Sequence, residues 1–130
     1  MTSFDGDGLP EAGTLGLGGL CVLIVEDSWD VGLSLKRLLE AYGAETIGPV
    51  ATVAEALRLI SEHAVDAALV DINLRHGEQS YALIDLLHDK GIRTIVLTGY
   101  ADAPLARGKV AAILQKPIAD KRLIESLRRL

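Results

Sequence analysis

A single cysteine among 130 residues excludes an internal disulfide framework and a multi-cysteine zinc site. Long apolar runs are missing as well: none exceeds six residues, against the ~20 that a membrane-spanning helix needs. No charged-then-apolar leader opens the sequence, so no secretory signal is read there. Basic clusters are equally scarce. No Lys/Arg run is longer than the closing pair Arg128-Arg129, and 13 basic residues against 18 acidic give a net charge of −5. Such a surface repels a phosphate backbone, so direct nucleic-acid binding is not expected. His63, His76 and His88 stand 13 and 12 residues apart and form no metal-ligand pattern. These absences lead to the expectation of a cytoplasmic, non-membrane protein.

What is present suffices for one packed domain: 49% of the residues are apolar and only 24% charged. Residues 1–19 hold six of the thirteen glycines, whose backbone entropy opposes ordering, so this stretch reads as a flexible lead-in to a folded unit over 20–130. In that unit two periodicities alternate. Near-continuous apolar runs recur at 21–25 (CVLIV), 67–70 (AALV), 94–98 (TIVLT) and 110–114 (VAAIL), with a weaker one at 45–50 (ETIGPV). Between them lie helical spacings: Val31, Leu35, Leu38, Leu39 and Tyr42; Val53, Ala56, Leu57 and Ile60; Leu83, Leu86 and Leu87; and Leu123, Ile124, Leu127 and Leu130. Gly43 and Gly91 are suited to stop the first and third helices.

Strands that are apolar throughout are buried on both faces, which requires a parallel sheet with helices above and below. Five strands and about five helices therefore predict a doubly wound α/β sandwich. Only eleven residues, GYADAPLARGK, separate Thr98 from the last run, and Pro104 interrupts them. The fourth helix is accordingly expected to be short or irregular.

In such sheets ligands sit beyond the carboxyl ends of the strands. The residues placed there are Glu26 and Asp27 after the first run, Asp71 after the third, Thr98 and Gly99 after the fourth, and Gln115, Lys116 and Pro117 after the fifth. Each has an ordinary structural explanation: Asp27 or Ser28 as a helix cap, Asp71 as a turn former, Thr98 as a strand-end hydroxyl, Lys116 as a solvated cation. Their coincidence at successive strand ends argues for a site. Two carboxylates ~4 Å apart repel by about 4 kcal/mol at an effective dielectric of 20. A divalent cation and Lys116 are the two agents that can offset this. An all-oxygen set favours Mg2+, with Mn2+ possible. Carboxylate, cation, ammonium and hydroxyl are together the parts for phosphoryl transfer to an aspartate.

The motifs VLIVEDS, VDINL, LTGY and LQKP, with Asp27, Asp71 and Lys116 spaced by 44 and 45 residues, resemble the receiver domains of bacterial two-component response regulators. The resemblance covers residues 20–130 and implies a flavodoxin-like, CheY-like strand order 2-1-3-4-5. It implies that Asp71 accepts a phosphoryl group from a histidine kinase or phosphotransferase. Asp27, Asp71 and the main-chain carbonyl of Asn73 would hold Mg2+, with Glu26 acting largely through water. Lys116 would pair with phosphoryl oxygens, Thr98 would swing inward to them, and the Lys116–Pro117 bond would be cis. Two departures stand out. Ile113 occupies the position where receivers commonly carry a switching aromatic, with Tyr100 nearby at a different position, and the segment from Gly99 to Lys109 is short. The stretch DINLRHGEQSYALIDLLHDKGIRTIVLTGY is similar to small stand-alone receivers that accompany HWE-type sensor kinases in alphaproteobacteria.

The function so implied is a Mg-dependent phosphorylation switch, or a phosphate shuttle or sink, catalytic only toward its own phosphorylation and dephosphorylation. Its partners would be a histidine kinase or phosphotransferase and a downstream target protein, with the chain a monomer or weak homodimer. One alternative is a phosphorylation-independent interaction module. Another is an aspartyl-nucleophile phosphohydrolase, which usually wants an acid where this chain has Asn73. His76 is a possible rim residue, Cys21 a small core residue, and Trp29 a helix-start residue or a kinase contact. Gly16, Gly18 and Gly19 precede the first strand, which excludes a dinucleotide loop.

Overall fold

The structure, a computed structural model, describes residues 16–74, 77–99 and 107–130. Strands β1 (Cys21–Val25), β2 (Glu45–Val50), β3 (Ala67–Asp71), β4 (Arg93–Thr98) and β5 (Ala112–Gln115) form one parallel sheet in the order β2-β1-β3-β4-β5. Helices α1 (Trp29–Ala41), α2 (Val53–Glu62), α3 (Tyr81–Asp89) and α4 (Asp120–Arg128) cover it. This is the doubly wound α/β sandwich that the alternating periodicities predict.

The sheet separates two apolar layers because successive side chains on a strand point to opposite faces. Val22, Ile24, Leu69, Ile95 and Leu97 face α1 and α4, where Leu35, Leu39, Leu123 and Leu127 meet them. Leu23, Val25, Val70 and Val96 face α2 and α3 and pack with Ala56, Leu83, Ile84 and Leu87. All five residues of β3 are buried, as a central strand requires, whereas edge strand β2 is only half-buried.

Local chemistry sets the helix ends. The Ser28 hydroxyl accepts the Val31 N–H at 3.4 Å, so Ser28 rather than Asp27 caps α1 and leaves Asp27 available. Thr52 caps α2 by accepting the Glu55 N–H at 3.2 Å, and Glu55 folds back onto the Ala51 N–H at 3.2 Å. Gly43 and Gly91 follow α1 and α3 with φ of +94° and +76°, the left-handed geometry that ends a helix.

Several expectations need correction. Leu17, assigned by composition to the lead-in, is fully buried in the layer beneath α1 and α4. Residues 1–15 lie outside the described residues. Val31 and Leu57 are exposed, not core. The buried stripe of α1 runs through Gly32, Leu35 and Leu39, because Gly32 is the residue pressed against Pro49 of β2. The last strand begins at Ala112 rather than Val110, since a 3-10 turn over Arg107–Lys109 delivers the chain to the sheet edge. Four α-helices, not five, occur among the described residues, and between β4 and β5 only that 3-10 turn is seen there. The remainder of the expected short fourth helix, with Tyr100, lies outside the described residues.

Candidate functional site

The carboxyl ends of β1, β3 and β5 bring Glu26, Asp71 and Lys116 together at one edge of the sheet. The Lys116 ammonium donates to Glu26 Oε1 at 2.8 Å and to Asp71 Oδ2 at 3.1 Å. Glu26 and Asp71 are buried, and Asp27 stands on the more open side. One ligand oxygen from each of Glu26, Asp27 and Asp71 can be chosen so that all three lie within 4.8 Å of one another. Of the residues expected at the site, these four converge.

Backbone contacts fix this edge. The Glu26 N–H donates to the Val50 carbonyl at 2.8 Å, tying the acidic loop to the end of β2. The Lys116 N–H donates to the Thr98 carbonyl at 2.7 Å, which ties Lys116, one residue past β5, to the end of β4. Thr98 is buried, and the Lys116–Pro117 bond is cis, as is Gly48–Pro49, which the sequence does not announce. Asn73 lies two residues past Asp71, and its N–H donates to Asp71 Oδ1 at 3.2 Å. Ile113 is half-buried beside the α2–α3 layer.

Burial pushes the Glu26 carboxyl up to about 7, against the opposing hydrogen bonds from Lys116 and the Ser28 N–H. For Lys116, burial works downward, but its hydrogen bonds to Glu26 and Asp71 and their charges prevail and raise it. The lysine is therefore a permanent cation at neutral pH, while Glu26 can exchange a proton there.

Two residues at this edge escape sequence reasoning. Ser80, fully buried, does not cap α3 with its hydroxyl but donates it to the Asp71 carbonyl at 2.6 Å. Glu78 reaches across to the first turn of α2, its Oε1 accepting the Val53 N–H at 2.9 Å. The only hint was Ser80 directly before a helical apolar pattern, which reads as an ordinary cap. His76 lies outside the described residues, His63 and His88 are exposed at helix ends, and Cys21 is a half-buried thiol raised chiefly by burial.

A groove of about 560 Å3 opens beside Lys116, walled by Val31, Leu35 and Leu38 of α1 and by Pro117 and Ile118. Trp29, 63% exposed, stands at the start of the same helix.

The all-oxygen donor set fits a hard divalent cation such as Mg2+. An acidic cluster at the carboxyl edge of a 2-1-3-4-5 sheet, with a lysine reaching into it, defines a CheY-like receiver architecture. The response regulator receiver domain profile matches residues 22–128, and the chain belongs to that family. It is similar to SdrG from Sphingomonas melonis Fr1 at 33% identity, over 83% of this chain and 92% of that one, with a TM-score of 0.72. A CheY-like receiver domain from Methylobacillus flagellatus is 27% identical over 85% of this chain and 97% of that one, with a TM-score of 0.74. A response regulator from Burkholderia pseudomallei, carrying a phosphorylated aspartic acid, calcium ion and citrate, is 26% identical. That match covers 83% of this chain and 66% of the other, with a TM-score of 0.73. No curated protein matches the chain significantly. Among the described residues no helix is long and apolar enough to cross a membrane.

Proposed function

We propose that this receiver domain takes a phosphoryl group on Asp71 from a phosphohistidine of a histidine kinase or phosphotransferase, and works as a Mg-dependent switch or phosphate shuttle. The observation that carries this reading is the Lys116 ammonium bridging Glu26 and Asp71 beside a three-carboxylate cluster. An Asp71 oxygen attacks phosphorus, the P–N bond breaks as the P–O bond forms, and the freed imidazole keeps the electron pair. Lys116 already lies within hydrogen-bond reach of the attacking carboxylate and can follow the charge onto the phosphoryl oxygens. Glu26, Asp27, Asp71 and the Asn73 carbonyl would hold the cation, which supplies further neutralisation of those oxygens when bound. The buried Thr98 hydroxyl, at the end of β4, would respond to the new group.

The chain would act catalytically only on its own phosphorylation and dephosphorylation, in the cytoplasm, upstream of a target protein. The apolar groove against Lys116, together with exposed Trp29 at the start of α1, would serve the donor protein as a landing surface. The presence of a phosphorylated aspartate and a calcium ion in the Burkholderia relative supports the chemistry. The test is intact mass after exposure to a small-molecule phosphodonor, with and without Mg2+, beside Asp71→Asn. One Mg-dependent phosphoryl adduct, absent from the variant, is expected. No adduct in either protein would reduce the chain to a receiver-shaped interaction module.

A further inference from the structure

We propose that Glu78 is a positioning residue of the metal site, clamped by its carboxylate to the first turn of α2 and by its backbone carbonyl to the peptide that presents the Asn73 carbonyl. The inference rests on the acidic cleft being the cation site.

The geometry begins at one peptide unit. A trans peptide is planar, and its C=O and N–H point in opposite directions. The Leu74 N–H donates to the Glu78 carbonyl at 2.7 Å. The Asn73 carbonyl belongs to the same peptide plane as that N–H, so fixing one end of the plane fixes the direction of the other. An antiparallel bridge between Asn73 and Gln79 and the Ser80 N–H donating to the Ile72 carbonyl at 3.0 Å pair residues 72–74 with residues 78–80. Buried Ile72 and Leu74 root this pairing in the α2–α3 layer.

Apolar packing holds Ile72 and Leu74 without fixing the direction of the peptide between Asn73 and Leu74, and Glu78 adds a directional tie to α2. Its Oε1 accepts the Val53 N–H at 2.9 Å from 25 residues away. That donor is the first N–H of α2, one of the four that a helix cannot satisfy internally. Thr52 takes the Glu55 N–H and Glu55 the Ala51 N–H, so among these caps it is Glu78 that takes the Val53 N–H. The path therefore runs from the Asn73 carbonyl through one peptide to Glu78 and on to α2.

Two substitutions break the clamp from opposite ends. Glu78→Ala removes the carboxylate and keeps the backbone carbonyl. Val53→Pro removes the N–H at the first helical position, where proline is favoured, after a Thr52 already extended at φ −135° and ψ 158°. Glu78→Gln keeps the acceptor and discards the charge. Mn2+ is titrated into the full chain and the free ion counted by its electron paramagnetic resonance signal, with thermal unfolding of the metal-free proteins alongside. Glu78→Ala and Val53→Pro should each weaken Mn2+ binding about threefold to tenfold, the range of one lost hydrogen bond. The double variant should be no weaker than either single one, and Glu78→Gln should stay within about twofold of wild type. Wild-type affinity in both single variants would overturn the inference, as would additive losses, or a Glu78→Gln loss equal to that of Glu78→Ala, which would make the effect one of charge. If either single variant fails to fold, the other carries the comparison. Absence of Mn2+ binding by wild type would overturn the metal reading, and this inference with it.

Discussion

The Lys116 ammonium sits closer to Glu26 Oε1, at 2.8 Å, than to Asp71 Oδ2, at 3.1 Å. The lysine is thus as much the counter-ion of the buried glutamate as the partner of the proposed acceptor. Its side chain retains 30% exposure, whereas the Glu26 side chain has none. A buried carboxylate stripped of its cation cannot turn to water for relief.

Lys116→Met keeps the volume of the stem and removes the charge. The metal-free variant should lose about 1–3 kcal/mol of stability at pH 8, where Glu26 and Asp71 then face each other unneutralised. Below pH 6 the loss should shrink, because Glu26 takes up a proton. Urea unfolding at both pH values checks this, and an equal loss at each would place the cost in packing rather than charge.

Glu26 on its own predicts a pH slope in the metal-free protein. Its carboxyl is raised from 4.5 to about 7 by burial. Between those values the folded state holds a proton that the unfolded chain has released, so the folded state binds more protons. Stability therefore falls as pH rises through that window and levels off above about 7. Glu26→Gln should flatten the slope, and a divalent cation should bind more weakly at pH 6 than at pH 8 because the proton competes with it. A slope unchanged in Glu26→Gln would assign it to another group.

The strand ends were legible because the apolar runs of β1, β3, β4 and β5 are uninterrupted: each places the end of its strand to within one residue, and the polar residues at or just past that end must emerge at the sheet edge. Glu26, Asp27, Asp71, Thr98 and Lys116 are all readable on that logic. The Glu78–Val53 bond is not, since it depends on how a loop after β3 lies against a helix that starts 25 residues earlier. Nor is the orientation of α1. Val31 and Leu35 share a helical face by spacing, yet the close approach of Pro49 to Gly32 rotates that face so that Val31 walls the groove instead of the core. Leu17 shows the same limit from the other side: surrounded by glycines in sequence, it is placed by tertiary packing alone.

That packing is testable. Leu17 is fully buried, and it contributes to the same layer as Leu123 and Leu127. Leu17→Ala should cost about 2–4 kcal/mol through lost transfer energy and the cavity left behind. Urea denaturation reads it directly. A change below ~0.5 kcal/mol, the size of an ordinary surface substitution, would detach Leu17 from the core.

Gly32→Ala inverts the usual sign. Alanine in a helix interior ordinarily stabilises by about 1 kcal/mol relative to glycine. Here a Cβ would stand 2.6 Å and 2.8 Å from the Pro49 ring, and 3.8 Å from the Glu26 Cβ. A proline ring cannot rotate away as a long side chain can, so either β2 or α1 must move. Overpacking of this kind costs about 1–3 kcal/mol, which exceeds the helix gain. Because Glu26 hangs between the two elements through its N–H bond to Val50, the displacement should reach the site. Gly32→Ala should therefore unfold at lower urea than wild type and bind Mn2+ more weakly. A stabilised variant with unchanged Mn2+ affinity would show that α1 and β2 can separate without disturbing Glu26.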